Sequence, residues 1–393
     1  MKIAFLGDIA ARGFEDTLNR ESAREILSPI LPELLRADLR VANWENPTVT
    51  RLSPIEKSGP ALWSRPQNIG FLQAAQVDLA VLANNHAGDQ GPQGTLETMR
   101  HLARAGIETV GAGESLESAC RPAILEKDGE RAAIFAVCEH EFGGAEEATP
   151  GSAPYDHIRL TRMIREYRTR ADFVLAVMHC GNEYCPIPSP LAVERFRDLI
   201  DAGADAVVGM HPHCMQGYER YHDGQIVYST GNFFFGYPSQ ASRAVGWHYG
   251  YVPVVELAAG RAVRLEIIPY QLAKDCSRIA PFQGEKKAEI LRYLDRLNEP
   301  IRNPRLLRFL YDGWCAHVGD MYAPGLRYRP EYAAGAVDQQ LFGTGNLLRC
   351  EAHHELLCNY FKNLMQRRCA EARRGIEPVL ALSRAPVTLF EGE

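Results

Sequence analysis

The feature that most constrains this chain is a double histidine, His211-Pro212-His213, set close behind the apolar, strand-like run Ala204 to Val208. On an extended segment residues i and i+2 project to one face, so the two rings are expected to aim into one pocket from the end of a strand. The same arrangement returns along the chain. Asp8, Glu45, Asn85, His86 and His179 each stand just after a short apolar run. An isolated His-x-His is most often plain surface, and it is this company that makes the pair a candidate metal site.

Composition bounds the rest. At 393 residues the chain is long enough for one large α/β domain of about 250 residues with an appendage, or for two ordinary domains. A hydrophobic content of 46% against 23% charged residues excludes a disordered chain. Its 43 basic and 49 acidic residues give a formal charge of −6, so no basic field draws it onto nucleic acid, although a local cation can still hold an anionic ligand. The apolar run that opens the chain stops at Leu6, too short for the core of a signal peptide or for a membrane span, and the expectation is a cytoplasmic protein. Ten cysteines contain no C-x-x-C pair, which fits reduced thiols. Cys180 and Cys214, each directly behind a candidate ligand, read as small apolar packing rather than as zinc ligands.

Strand, polar motif and helix alternate as far as about residue 270, which predicts an α/β core. Expected strands cover 2–6, 39–43, 77–83, 173–178 and 204–208, with a hairpin at 121–125 and 131–137 and an antiparallel pair at 251–257 and 262–269. Helices are expected at 18–35, 68–75, 93–105, 158–168 and 191–202. Near residue 275 the pattern changes to helices alone, at 286–297, 306–318 and, as one long amphipathic element, 346–374. This predicts a domain over 1–275 and a helical extension over 276–393. His353, His354 and Cys358 fall on the long helix and read as a packed face; its stripe Leu356, Leu357, Tyr360, Phe361 and Leu364 is expected to pack on the core, with partner docking as the alternative.

Carboxylate, amide and imidazole donors suit divalent ions of the Mn, Fe, Zn or Co kind, and a shared carboxylate can hold two such ions about 3.5 to 4 Å apart. Hydrolysis of a phosphoester follows from that chemistry. The ordered motifs Gly7-Asp8, Asn43-Trp44-Glu45, Asn84-Asn85-His86 with Asp89 and Gly91, His179-Cys180-Gly181-Asn182-Glu183-Tyr184, Gly209-Met210-His211-Pro212-His213 and Ser229-Thr230-Gly231-Asn232-Phe233 resemble those of the CapA family. That family is associated with poly-γ-glutamate capsule synthesis and is related to the calcineurin-like metallophosphoesterases.

The resemblance spans about residues 3 to 270 and implies a four-layer αββα sandwich of the metallophosphoesterase type. It implies that Asp8 and His213 hold a first ion, that Glu45 bridges, and that Asn85, His179 and His211 hold a second, with Mn, Fe or Zn as the ions. His86 resembles the histidine that protonates the leaving group. Asn43, Asn84, Asp89, Glu183, Tyr184 and Asn232 fall around these positions, and Lys57, Arg65 and Arg243 lie in loops that could clamp a phosphate or carboxylate. Two departures from the wider phosphoesterase pattern stand out: Ala10 replaces the histidine of the usual Asp-x-His, and Glu45 replaces a bridging aspartate. Cys180 also stands where the CapA pattern commonly has tryptophan.

The function expected is a metal-dependent hydrolase acting on an anionic envelope or capsule polymer or its precursor, such as poly-γ-glutamate or a polysaccharide. The alternative is a metal-stabilised accessory protein that binds a polymer or a capsule-synthesis partner and does no chemistry. With no spanning segment expected, either the chain acts on a cytoplasmic precursor or a partner brings it to the membrane periphery.

Overall fold

The computed structural model describes residues 1–236 and 246–391. In chain order the elements are β1 (Lys2–Ala10), α1 (Arg20–Leu27), α2 (Leu31–Leu34), β2 (Leu39–Trp44), α3 (Gly70–Ala74), β3 (Leu79–Val81), α4 (Gly91–Arg104) and β4 (Glu108–Val110). There follow β5 (Ala112–Gly113), α5 (Leu116–Ala119), β6 (Ala123–Lys127), β7 (Glu130–Cys138), β8 (Gly151–Ser152), α6 (His157–Tyr167), β9 (Phe173–His179), α7 (Pro190–Asp201) and β10 (Ala206–Met210). Then come β11 (Tyr218–Tyr221), β12 (Gly224–Val227), β13 (Asn232–Phe235), β14 (Tyr249–Glu256), β15 (Arg264–Leu272) and β16 (Ile279–Pro281). The chain ends in helices α8 (Gly284–Arg302), α9 (Pro304–Tyr322), α10 (Gln339–Arg349), α11 (Glu351–Met365), α12 (Cys369–Arg373) and α13 (Ile376–Glu391). No helix among the described residues is long and apolar enough to cross a membrane.

Two mixed sheets face each other. One runs β16-β15-β14-β1-β2-β3-β4, with β13 also paired to β1, and the other runs β11-β12-β10-β9-β7-β6. The alternation of side chains along each strand builds the layers. Ile3 and Phe5 of β1 meet Ile134, Leu175 and Val208 of the second sheet in a cluster between the sheets. Their neighbours Ala4 and Leu6 face outward against Leu27, Phe71 and Leu102. Ala133, Phe135 and Val137 of β7 face the opposite outer layer, where Leu199, Trp314 and Leu356 cover them. This is the expected αββα sandwich. The strands that carry the polar motifs, β1, β2 and β3 in one sheet and β9 and β10 in the other, run parallel to one another within each sheet and release their C-terminal ends toward the same region.

Several boundaries differ from the sequence expectation for identifiable reasons. The single helix expected over 18–35 is two, because Pro32 in the first turn of α2 cannot continue α1. Strand β1 runs on past Leu6 to Ala10 through irregular register at Leu6, Asp8 and Ile9, its last residues pairing with β13. Helix α8 carries Pro300 in its last turn and ends at Asn303, whose side chain accepts the Arg305 and Leu306 amides at 3.2 Å to start α9.

The long helix expected over 346–374 is broken into α10, α11 and α12. At the first break Cys350 turns extended (φ −65°, ψ 126°), its thiol 3.5 Å from Glu139, so a tertiary contact overrides helical propensity. His354 and Cys358 are exposed rather than packed; the buried face of α11 carries Ala352, Leu356 and Leu357 instead. In the stripe, Phe361 and Leu364 remain 38% and 40% exposed.

Because Leu356 is fully buried in the cluster shared by the second sheet and the C-terminal helices, Leu356→Ala is expected to cost about 2–5 kcal/mol. Urea unfolding followed by circular dichroism checks this. A loss below about 1 kcal/mol would show that α11 is not part of the core.

Candidate metal centre

Close backbone approaches set the first donors. A side chain at Gly7 would put its Cβ 2.0 Å from the Gly231 carbonyl, and one at Gly209 would lie 2.0 Å from the Tyr228 carbonyl. Only glycine lets β1 and β10 lie this near the chain that follows them. Asp8 is thereby buried under His211, whose amide donates to its Oδ2 at 3.1 Å. The double histidine is not a strand end with alternating faces. Strand β10 stops at Met210, and His211 and His213 take positive φ values of +99° and +55°. The rings converge because the backbone turns left-handed at both, a conformation that costs about 1–3 kcal/mol per residue and is concentrated at functional sites.

The donors come together between the sheets. Glu45 Oε1 lies 3.7 Å from His179 Nε2 and 3.8 Å from His213 Nε2. His211 Nδ1 is 3.1 Å from His179 Nε2, which in turn is 3.1 Å from Asn85 Oδ1. His213 Nδ1 lies 2.8 Å from Asn232 Oδ1 and 3.5 Å from Asp8 Oδ2. Three triads each hold their ligand atoms within 4.8 Å: Glu45 with His179 and His211, Asp8 with Glu45 and His213, and Glu183 with His211 and His213.

Two atoms each about 2.1 Å from a common ion stand roughly 3–3.5 Å apart, so these spacings suit divalent ions. Glu45 is the decisive residue. It is fully buried, both carboxylate oxygens lack a hydrogen-bond partner, and it belongs to two of the triads. A buried anion left so is costly, and a shared cation supplies what the protein does not.

The surroundings hold these donors in place. Asn43 Nδ2 donates to Asp8 Oδ1 at 2.7 Å and lies 3.2 Å from His179 Nδ1. Asn84 donates to Asn43 Oδ1 and to the Trp44 carbonyl, both at 3.0 Å, and its own carbonyl accepts the His86 amide at 3.2 Å. His86 Nδ1 is 2.6 Å from Asp89 Oδ2, and Lys57 donates to Asp89 Oδ1 at 2.6 Å. Lys57 is therefore buried with its ammonium engaged, not reaching out as a loop clamp.

The other basic candidates lie elsewhere. Arg65 is a surface residue, 2.5 Å from Asp16 and stacked on Trp63. Arg243 lies outside the described residues. Tyr184 packs on Trp247 and His213 with ring centroids 6.1 and 6.5 Å away. Cys180 and Cys214 belong to none of the triads, and burial raises both thiols, which matches a packing role.

Glu139 and Glu141 are the residues that sequence reading passed over. They follow strand β7 in the same way that the other motifs follow theirs, and that was the available signal. Glu141 Oε1 stands 4.0 Å from His211 Nε2, and beside it opens a cavity of about 1070 Å³ lined in part by Phe142, Phe342, Arg159 and Arg349.

Electrostatics follow from this packing. Burial, followed by the neighbouring histidines, holds His179 well below its ordinary range, and burial lowers His211 as well, so both imidazoles are neutral and ready to ligate. Burial and then Asp8 push Glu45 well up. His213, against its burial, is raised to about 10 by the Glu45 and Asp8 carboxylates. Asp89 is buried, which by itself would raise it, yet His86 and Lys57 hold it low.

A two-sheet α/β fold with buried carboxylates and imidazoles at its strand ends defines a class of protein built around a metal-type centre. The profile of the bacterial capsule synthesis protein PGA_cap family matches residues 2–237, and the chain belongs to that family. It is 31% identical over 240 residues to the PGA biosynthesis protein CapA of Bacillus subtilis (strain 168), covering 60% of this chain and 63% of that one. It is 29% identical over 245 residues to the capsule biosynthesis protein CapA of Bacillus anthracis, covering 60% of each. The chain thus spans less than two thirds of the length of these curated relatives. Among solved structures it is similar to a phosphatase from Mycoplasma pneumoniae, with TM-score 0.43 and 13% identity over 68% of this chain and 92% of that one. It is also similar to the NAD nucleotidase NadN of Haemophilus influenzae, with TM-score 0.44 and 11% identity over 75% and 56%.

Two outcomes are expected here. In chelator Glu45→Gln should melt no lower than the parent, because the buried carboxyl group it replaces has no hydrogen bond to lose. With Mn at a hundredfold excess over Kd, a parent binding it gains about 2.7 kcal/mol and the variant should gain little. Equal gains in a thermal-shift comparison would rule out Glu45 as a ligand.

Glu139, raised by burial and then by Glu351 from an ordinary 4.5 to about 8, keeps its proton in the folded state where the unfolded chain has lost it. The contribution of Glu139 to stability is therefore flat below pH 4.5 and falls as pH rises toward 8, by at most ~1.4 kcal/mol per pH unit. Urea titrations at several pH values should show this slope in the parent and its loss in Glu139→Gln.

Proposed function

We propose that this chain is a metal-dependent hydrolase, phosphoesterase-like in its chemistry, acting on an anionic envelope or capsule polymer or on a precursor of one. The observation that carries this reading is Glu45, unpartnered and shared by two ligand sets, with the His86–Asp89 pair beside it. Asp8, Glu45 and His213 would hold one ion and Glu45, Asn85, His179 and His211 the other. Divalent ions of the Mn, Fe or Zn kind bound there supply Lewis acidity for hydrolytic attack.

The chain's own residues manage the proton. Asp89 fixes His86 through Nδ1, which leaves Nε2 as the nitrogen that hands a proton to the departing oxygen. Lys57 keeps Asp89 ionised, so the imidazolium that must form has a fixed counter-charge. The Asn84 carbonyl holds the His86 backbone, tying the donor to the same network that positions Asp8 and His179. The cavity beside Glu141 offers space for a polymer segment; its wall is mixed in charge, with Arg159 and Arg349 set among Glu139, Glu141, Glu146, Glu147 and Asp156.

The capsule setting comes from the family and from the CapA relatives. A second reading has its own support. Ala10 supplies no ligand to the Asp8 ion, and a protein of Mycobacterium tuberculosis that is 28% identical over 230 residues is called a probable polyglutamine synthesis accessory protein. On that reading the centre stabilises a binding protein.

His86→Ala separates the two. In a hydrolase it should lower kcat on the best of a panel of phosphomonoesters, phosphodiesters and γ-glutamyl peptides by about 10²–10⁴-fold while bound metal stays constant. A metal-loaded parent without turnover on the panel, or a variant with the parental rate, would move the assignment to the accessory role.

A further inference from the structure

We infer that Phe142 is a positioning residue for the proton donor: its ring steadies the Lys57 ammonium at the place where that ammonium holds Asp89, and Asp89 in turn fixes His86. The role rests on the hydrolytic reading above and extends it to the loop that follows β7. Lys57 Nζ lies 5.3 Å from the centroid of the Phe142 ring, within the reach of a cation–π contact. Lys57 is buried, and such a contact strengthens where water is excluded.

An ammonium has three N–H bonds to place. One goes to Asp89 Oδ1 at 2.6 Å, and a second reaches the Asn85 carbonyl at 3.4 Å. His86 Nδ1 is 3.5 Å away but is committed to Asp89 Oδ2 at 2.6 Å. When His86 acts as an acid that nitrogen carries a proton and accepts nothing. What remains of the Lys57 charge meets the ring, whose face is negative. An aliphatic side chain there would exclude water too, but it has no such face.

Two features keep the ring in place. The first is a backbone contact between its loop and the loop of His86. A Cβ at Gly88 would fall 2.4 Å from Gly143 Cα, and one at Gly143 would fall 2.5 Å from Gly88 Cα, so the two loops pack main chain to main chain. The second is α10. Arg349 stands 5.7 Å from the centroid of the same ring, and its Nη2 donates to the Glu141 carbonyl at 2.5 Å. Asn346 Nδ2 donates to Glu141 Oε2 at 3.2 Å, and Glu351 accepts the His140 amide at 2.9 Å. One ring thus serves a cation of the proton network and a cation of the C-terminal helices.

A proton donor matters most for a leaving group that cannot depart as an anion. Without the ring Lys57 loses one of its supports, and the Asp89–His86 pair loses a fixed counter-charge. The effect should therefore fall on esters of alcohols more than on esters of nitrophenol, whose phenolate leaves without a proton. Phe142 also lines the cavity beside Glu141. A wall residue that did no more than meet substrate would change both kinds of ester alike.

The test uses the full chain, loaded with Mn for turnover of an alkyl phosphate and 4-nitrophenyl phosphate, and with Zn for NMR of 15N-labelled lysine ammonium groups. Phe142→Leu should widen the ratio of nitrophenyl to alkyl kcat about 10-fold, part of the roughly 10²–10⁴ that a positioned acid contributes. Phe142→Tyr, which keeps an aromatic face, should restore the parental ratio. The ammonium signal that Lys57→Met removes should exchange slowly with water in the parent and in Phe142→Tyr, and faster in Phe142→Leu. Arg349→Met, a change at an exposed residue, should move both readouts the same way, so the inference does not hang on the folding of one variant. An unchanged ratio, or an unchanged ammonium signal, in Phe142→Leu would overturn the positioning role and leave the hydrolase standing. A parent that turns over neither ester would overturn the hydrolase reading and the acid role with it.

Discussion

A carboxylate sealed from water with no hydrogen-bond donor must be neutralised by something, and in this fold Glu45 is that group. Its burial raises it far above the ordinary carboxylate range, and Asp8 nearby makes the site less hospitable still to a bare negative charge. The interior solution would be an apolar residue, which in comparable buried sites is often neutral or stabilising. The chain instead sets His179 and His213 at 3.7 and 3.8 Å from Glu45; burial lowers His179 and the adjoining His211, whereas His213, against its burial, is raised by the Glu45 and Asp8 carboxylates. Carboxylates and imidazoles gathered this closely form a donor set of the kind that suits a divalent ion. The two sheets deliver the halves of that set: Asp8, Glu45 and Asn85 come from the first and the three histidines from the second.

The C-terminal helices matter to this centre although the family match stops at residue 237. They grip the two loops that follow β7 and β9. Glu351 accepts from His140 Nδ1 at 2.6 Å, Asn346 donates to Glu141 at 3.2 Å, and Glu139 in turn accepts the Gly181 amide at 3.2 Å. Ala352 and Tyr311 hold Asn182 beside Glu183. These contacts join residues far apart in sequence, so the loop geometry at the centre depends on the packing of α9, α10 and α11 against the second sheet. The cavity beside Glu141 is walled partly by α10, through Leu341, Phe342, Gly345 and Arg349. Part of its wall therefore comes from outside the matched segment.

The strand ends were legible because a buried parallel strand writes itself as an apolar run, and a polar residue directly after one has little choice but to sit at its tip. This is how Asp8, Glu45, Asn85, His179, His211 and His213 were found. The turn at His211 and His213 was not legible, since positive φ at non-glycine residues follows from long-range contacts such as the His211 amide on Asp8. The same holds for Lys57, whose engagement by Asp89 comes from a fold-level meeting of residues 32 positions apart. Glu139 and Glu141 carried the strand-end signal but opened a segment rich in Gly, Ala and Glu that read as plain loop. The helix breaks near residues 28 and 350 had unequal warning. Pro32 announced the first, whereas Cys350 gave none, its extended backbone depending on a contact with Glu139.

Ala10 poses the question on which the character of the site turns. If the missing histidine marked a centre in decay, the remaining donors would be buried polar groups without purpose, each lowering the stability of the fold. The surroundings do not have that look. The space beside Ala10 is filled by Phe235 and Trp247 in contact with His213, while the opposite flank is closed by a loop fastened to the His-Pro-His turn by two backbone hydrogen bonds.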